Sequence, residues 1–151
     1  MIDELIIMNQ QGTILFYTNY TDEKCDNNFI SNLILAIQQF AEIVLSSNLE
    51  AIRLKDSKYI FLKDDDLSVA IRTNEQQVTE KMQELIYLIR NRFLEKFGLL
   101  KNFSGDVSIF NTFENELLEI LPNEKPKITS QELLTELFGI KINSKKILNE
   151  L

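Results

Sequence analysis

The sequence predicts an α/β domain of the α+β kind, with three layers, α/β/α, around one five-stranded antiparallel sheet. Three features predict it. Two short apolar runs flank a glycine-containing loop, one long helical stripe follows them, and three closely spaced β-rich runs precede two further helical stretches. The order β-β-α-β-β-β-α-α, continued by a helical tail, sets the first helix against one sheet face and the later pair against the other.

Residues 4–9 and 13–18 are the first two strands, with Ile6, Ile7, Ile14, Leu15, Phe16 and Tyr17 at their centres. Gly12, in the Asn9-Gln10-Gln11-Gly12 loop, can supply the positive φ that a hairpin turn needs. Both runs are nearly continuous in apolar character, whereas a strand with one wet face alternates; they belong in a sheet covered on both sides. After a polar link over residues 20–27, capped by Asp26 or Asn27, a helix of about 20 residues is expected from the period of its apolar positions. Its stripe, Phe29, Ile30, Leu33, Ile34, Ile37, Phe40, Ala41, Val44 and Leu45, is widened by Leu35 and Ile43. It covers about half the circumference, more than the 100° or so a surface helix uses, so this helix is expected to bury more than one face.

Three strands follow at residues 50–55, 59–63 and 67–73, with Asp56-Ser57-Lys58 and Asp64-Asp65-Asp66 as turns. The first alternates, Ala51 and Arg53 against Ile52 and Leu54, and reads as an edge strand. The other two, richer in Ile, Phe, Leu and Val, read as inner. A second long helix is predicted over residues 76–101, with Val78, Met82, Leu85, Ile86, Ile89, Phe93, Phe97 and Leu100 on one stripe. A loop at Ser104-Gly105 leads to a short third helix whose Phe113, Leu117, Ile120 and Leu121 share a face. Pro122 and Pro126 break the pattern. The expected organisation is a domain over residues 1–121, a linker over 122–128 and a helical tail over 129–151. Thr129 with Glu132 gives that tail a capping box ahead of Leu133, Leu134, Leu137 and Phe138.

The hairpin Leu5–Tyr17, the helix Phe29–Leu45, the meander Ala51–Thr73 and the helix pair Val78–Leu121 together resemble a longin domain, the SNARE-like relative of the profilin architecture. The likeness covers about the first four-fifths of the chain and rests on order and spacing. A roadblock domain would begin with a helix, and this chain begins with a strand. The Lys-, Asn- and Ile-rich sequence suits the standalone longin proteins of Asgard archaea. The resemblance implies a sheet order of 2-1-5-4-3, no catalytic residues, and a role in membrane traffic or small-GTPase regulation through a groove, an edge or a dimer surface. A SNARE role is not expected, since the tail is too short for a SNARE motif and carries no anchor or lipidation cysteine.

Composition narrows the function classes. Hydrophobic residues make up 44% and charged residues 26%, with only 4 Gly and 2 Pro, as in a folded globular domain. A net charge of −7 opposes general nucleic-acid binding, which needs a basic footprint. Cys25 is the single cysteine, so no internal disulfide can form, and a reducing, cytoplasmic setting is expected. No apolar run is long enough to span a bilayer, and Met-Ile-Asp-Glu at the start has no basic n-region, so neither an anchor nor a signal peptide is expected. Histidine is absent, which removes Ser-His-Asp and Cys-His catalysis, and the usual phosphate-binding glycine loops are missing. No enzyme activity, cofactor or metal is expected. Asp64-Asp65-Asp66 reads as a solvated turn because adjacent carboxylates in a tight turn cannot converge on one ion.

Two surfaces remain as candidates. Arg53, Lys55, Lys58 and Lys63 gather on the meander's outer edge, either facing anionic lipid or an acidic partner, or protecting the edge from aggregation. A groove between Leu35, Gln39 and Ile43 of the first helix and Ile52 and Leu54 of the edge strand can take a partner, or the tail through Leu133, Leu134, Leu137 and Phe138. The tail instead completes the core or covers the later helix pair in two other readings. The functional expectation is a non-enzymatic interaction module binding a small GTPase, a longin or roadblock subunit, or a second copy of itself, with at most peripheral membrane contact. The alternatives are a small-ligand sensor of PAS or profilin type and a structural subunit of a larger complex.

Overall fold

The computed structural model describes residues 2–10, 13–21, 36, 38, 39, 51–53, 55–63, 67–74, 79–98, 103 and 105–127. Within them run β1 (Ile2–Met8), β2 (Ile14–Asn19), β3 (Ala51–Arg53), β4 (Ser57–Lys63), β5 (Ser68–Asn74), α1 (Thr79–Phe97), a 3-10 helix (Val107–Thr112) and α2 (Phe113–Ile120). The five strands form one antiparallel sheet in the order β2-β1-β5-β4-β3. The N-terminal hairpin is therefore joined to the meander through β1 and β5, where Leu5 faces Ile71 and Ile7 faces Val69. Of the long helix predicted before the meander, Ala36, Gln38 and Gln39 are described, and all three are helical.

Strand alternation sorts the side chains into two cores. On one face Leu5, Ile7, Phe16, Ile60, Val69 and Ile71 meet Met82, Ile86, Ile89 and Phe93 of α1, with Phe110, Phe113 and Leu117 from the 3-10 helix and α2. Phe93 is the hub of this core. Its ring lies 4.9 Å from Phe113 edge-on, 5.4 Å from Phe110 and 4.8 Å from Phe97. Phe16 reaches the same cluster from β2, at 5.3 Å from Phe113. On the other face Ile6, Met8, Ile14, Tyr17, Tyr59, Phe61 and Ala70 form a second buried cluster, with Ile52 packed against it. Both faces are closed to water, as the unbroken apolar runs of the first two strands require.

Several boundaries move, each for a local reason. The hairpin is closed by Asn9, whose backbone N–H donates to the Thr13 carbonyl at 3.0 Å while its side chain accepts from the Thr13 N–H at 2.9 Å; Gly12 lies outside the described residues. β4 begins at Ser57, so Ser57 and Lys58, expected in a turn, belong to the strand. α1 ends at Phe97 rather than Lys101 because Gly98 adopts φ 77°, the left-handed stop of a helix, and its N–H donates to the Leu94 carbonyl at 2.7 Å. Asp106 caps the 3-10 helix by accepting from the Ser108 N–H at 2.9 Å. Arg92 then bridges Glu116 and Glu119, each at 3.2 Å, and so fixes α2 against α1.

Leu121, at the end of the domain, packs on the first core, and in the stretch expected as a linker the Lys127 N–H donates to the Asn19 carbonyl at 2.7 Å. Tyr20 donates its N–H inward to Asp3, so the adjoining Asn19 carbonyl points out of the sheet, where Lys127 meets it along the free edge of β2.

The aromatic hub sets a measurable stability. Phe93→Ala is expected to lower the urea-unfolding free energy by about 3–5 kcal/mol, whereas Leu88→Ala, on the exposed side of the same helix, is expected to change it by less than about 0.5 kcal/mol.

Candidate functional site

The predicted groove is described in part. Ile52 turns from the edge strand onto the second core, while its neighbours Ala51 and Arg53 are exposed, which is the alternation expected of an outer strand. Gln39 is exposed on the first helix, and the adjacent Gln38 is buried with no hydrogen bond to either side-chain amide atom among the described residues. Leu35, Ile43 and Leu54, and the tail residues Leu133, Leu134, Leu137 and Phe138, lie outside the described residues, as do Cys25 and Asp64-Asp65-Asp66. The chain reaches Lys127 at the β2 edge, and β2 and β3 are the two outer strands. Four strand spacings, about 19 Å, therefore separate the start of the tail from the groove.

The basic edge loses one of its four members. Arg53 and Lys55 are exposed and Lys63 is half-buried, but Lys58 is only 2% exposed. Lys58 shares the face of Ile60 in β4, beneath α1, and its ammonium donates to the Thr79 hydroxyl at 2.9 Å. Its stem is packed and its head is bound at the start of α1, so it ties sheet to helix and offers nothing to a partner.

A row of polar residues crosses the second face, which the sequence reading took as apolar at the strand centres. In register, Asn19 of β2 pairs with Glu4 of β1, Glu4 with Arg72 of β5, Arg72 with Tyr59 of β4, and Tyr59 with Ile52 of β3. The Glu4 carboxylate is fully buried. It accepts from the Tyr17 hydroxyl at 2.6 Å and from the Tyr59 hydroxyl at 2.9 Å, and the Arg72 guanidinium stands 3.8 Å away. Asn19 donates to the Tyr17 hydroxyl at 3.2 Å and accepts from the Thr21 backbone and hydroxyl at 2.7 Å each. A buried carboxylate persists only when its charge is matched and its lone pairs are occupied, and this row does both. Each member is engaged by its neighbours, so the row is a brace across four strands.

The other edge of the sheet carries a small cavity of about 160 Å³ where β2, α2 and the returning chain meet. Tyr20, Leu117, Leu118 and Pro126 line it together with Thr18, Glu114 and Glu124, and its walls are almost wholly apolar. Burial pushes the Tyr20 hydroxyl up to about 12; the adjacent Thr18 hydroxyl opposes that shift, while the negative charges of Glu124 and Glu114 add to it. In the sequence this place is hidden, since Tyr20 belongs to a polar link and Pro126 to a linker.

Among the described residues no group of three or more metal-ligating side chains converges, and no helix is long and apolar enough to cross a membrane.

The sheet order, the two buried faces and the helix arrangement define a longin-like fold. No protein-family profile matches the chain, and no curated protein sequence matches it. Its backbone is similar to a chain of the mammalian SRP receptor, at 16% identity and a TM-score of 0.51, over 81% of this chain and 93% of that one. It is also similar to a chain in a homology model of the full-length AP-3 complex in a stretched open conformation. There the identity is 13% and the TM-score 0.60, over 100% of this chain and 99% of that one. At these identities the likeness is one of fold.

Removing the carboxylate tests the brace. Glu4→Ala removes the acceptor of two buried hydroxyls and leaves the Arg72 guanidinium only Asp3, 3.8 Å away, as its carboxylate; it is expected to cost about 3 kcal/mol in urea unfolding. Tyr59→Phe removes one of the two hydroxyl bonds to Glu4 and is expected to cost about 1–3 kcal/mol.

Proposed function

We propose that this chain is a non-enzymatic, longin-type protein-interaction module that acts in small-GTPase regulation or membrane-traffic-like assembly. One observation carries the reading: both faces of the five-stranded sheet are buried, so the edges and the outer helix surfaces are what the domain can present. The outermost strand, β3, is only three residues long and keeps Ala51 and Arg53 exposed, with Lys55 exposed just beyond it. Short, charged edges of this kind resist indiscriminate pairing and leave room for a specific partner. The partner classes that fit are a small GTPase, a longin or roadblock subunit, or a second copy of the chain. The similar chain in the AP-3 model belongs to a complex, which supports a partner-binding role. A standalone cytoplasmic longin protein of archaeal type, with at most peripheral membrane contact, suits the same reading.

A metabolite sensor fits less well. Small-molecule sites usually occupy roughly 300–1,000 Å³, and the cavity at the β2 edge, lined by described residues, is smaller, at about 160 Å³. The carboxylate of the polar row on the second face is already doubly bonded by Tyr17 and Tyr59.

The test is a binding panel on the full chain, using GDP- and GTP-loaded small GTPases and longin and roadblock proteins from the same genome, alongside a thermal-shift screen of metabolites. Saturable binding to at least one panel protein, with Tm unmoved by metabolites, is expected. A metabolite that raises Tm by several degrees, with no panel protein bound, would replace this reading with the sensor.

A further inference from the structure

After α2 the chain returns to the β2 edge and passes an opening that it helps to form. Pro126 lines the cavity there, and one residue later the Lys127 N–H is bonded to the Asn19 carbonyl. The walls are almost wholly apolar, and Leu118 of α2, which lines the cavity, is 50% exposed. Water settles in a cavity only with about two to four polar partners, so an apolar one is better filled by apolar groups. A cavity of about 150 Å³ accepts a benzene-sized group, so 160 Å³ suits one leucine or phenylalanine side chain. Covering Leu118 at the same time removes further apolar surface from water.

The sequence just past this point carries a cover of the right kind. Thr129 and Glu132 make a capping box, and Leu133, Leu134, Leu137 and Phe138 recur behind it at helical spacing. On that period Glu132 and Glu136 fall outside the apolar stripe, so seating the stripe keeps both away from Glu114 and Glu124. Leu133 is six residues beyond Lys127, a reach of at most about 20 Å. The groove beside β3 is four strand spacings away, about 19 Å, and on the other face of the sheet, whereas the cavity begins at Pro126. Tethered this closely, the stripe meets the cavity at a local concentration on the order of millimolar.

We propose that the cavity at the β2 edge is the seat of the chain's own tail, whose stripe Leu133, Leu134, Leu137 and Phe138 docks over Leu117, Leu118 and Pro126 and places one apolar side chain inside. The tail then closes the β2 margin and leaves β3 and the outer helix surfaces to partners. Of the three seats open to the tail, this selects the side of the later helix pair over the groove and the central core. The proposal does not depend on the interaction-module reading, but it decides which sheet edge that reading can use.

The experiment is paramagnetic relaxation NMR on the full chain. A nitroxide is attached at Thr135→Cys, beside the stripe rather than in it, in a Cys25→Ser background that leaves one thiol. Loss of amide signal, relative to the reduced label, is expected to be greatest at Tyr20, Leu117 and Leu118 and slight at Ile52 and Arg53. Adding Leu134→Ser with Phe138→Ser should restore the lost signals. Nitroxide-bearing chain mixed with isotope-enriched, label-free chain should show no loss, because the seat and the tail belong to one molecule. Loss greatest at Ile52 and Arg53, loss at none of these amides, loss in the mixed sample, or loss that survives the serine substitutions overturns the proposal. The first arm leaves the stripe intact, so it decides the matter even where the serine variant does not fold. The partner panel reads binding to other proteins, so either proposal can fail without the other.

Discussion

The pairing of β1 with β5 is the constraint on which the molecule depends. It joins residues more than sixty positions apart, Leu5 with Ile71 and Ile7 with Val69, and makes one sheet out of a hairpin and a meander. Without it the hairpin would be a two-stranded ribbon, marginal in water on its own. With it, β1 and β5 become inner strands, flanked on both sides and buried on both faces. The loop closure it demands is a non-local entropy cost, offset by the apolar area that both cores remove from water.

Burial on two faces then dictates the polar chemistry. Any charged residue at a strand centre must find its partner within the sheet, because water is excluded on either side. Glu4 and Arg72 face each other only because β1 and β5 lie in this register, and Tyr17 and Tyr59 complete the set from the strands beyond. A one-residue slip would turn Glu4 onto the aromatic core around Phe93 and Phe113 and separate it from both hydroxyls. The polar row therefore specifies register as well as stability, which an all-apolar face would leave looser.

Much of this was legible in the amino-acid order. The period of Met82, Ile86, Ile89 and Phe93 placed the buried stripe of α1, and the alternation of Ala51, Ile52 and Arg53 marked the outer strand. What escaped notice depended on long-range neighbours. Lys58 beside Asp56 and Ser57 looked like turn chemistry, and only the position of Thr79 above β4 shows why its ammonium can be buried. Glu4, near the start of an apolar run, carried no local sign of two tyrosines arriving from β2 and β4. Pro126 marked a linker, and the bond from Lys127 to Asn19 depends on which strand lies at the sheet's edge. Gly98 is the exception, because a glycine near a predicted helix end is a local stop signal, and the apolar stripe continuing to Leu100 masked it.

The functional reading follows from the same geometry, since a sheet covered on both faces can meet partners only at its margins. Native-state hydrogen exchange tests the underlying claim most directly. Amides of β1 and β5 that bond to each other should exchange last, at the free energy of global unfolding, with those of β3 opening well before them. If β1 amides exchange as fast as the edge strand while β5 stays protected, the hairpin is not part of the sheet, and the account of both cores and both margins fails.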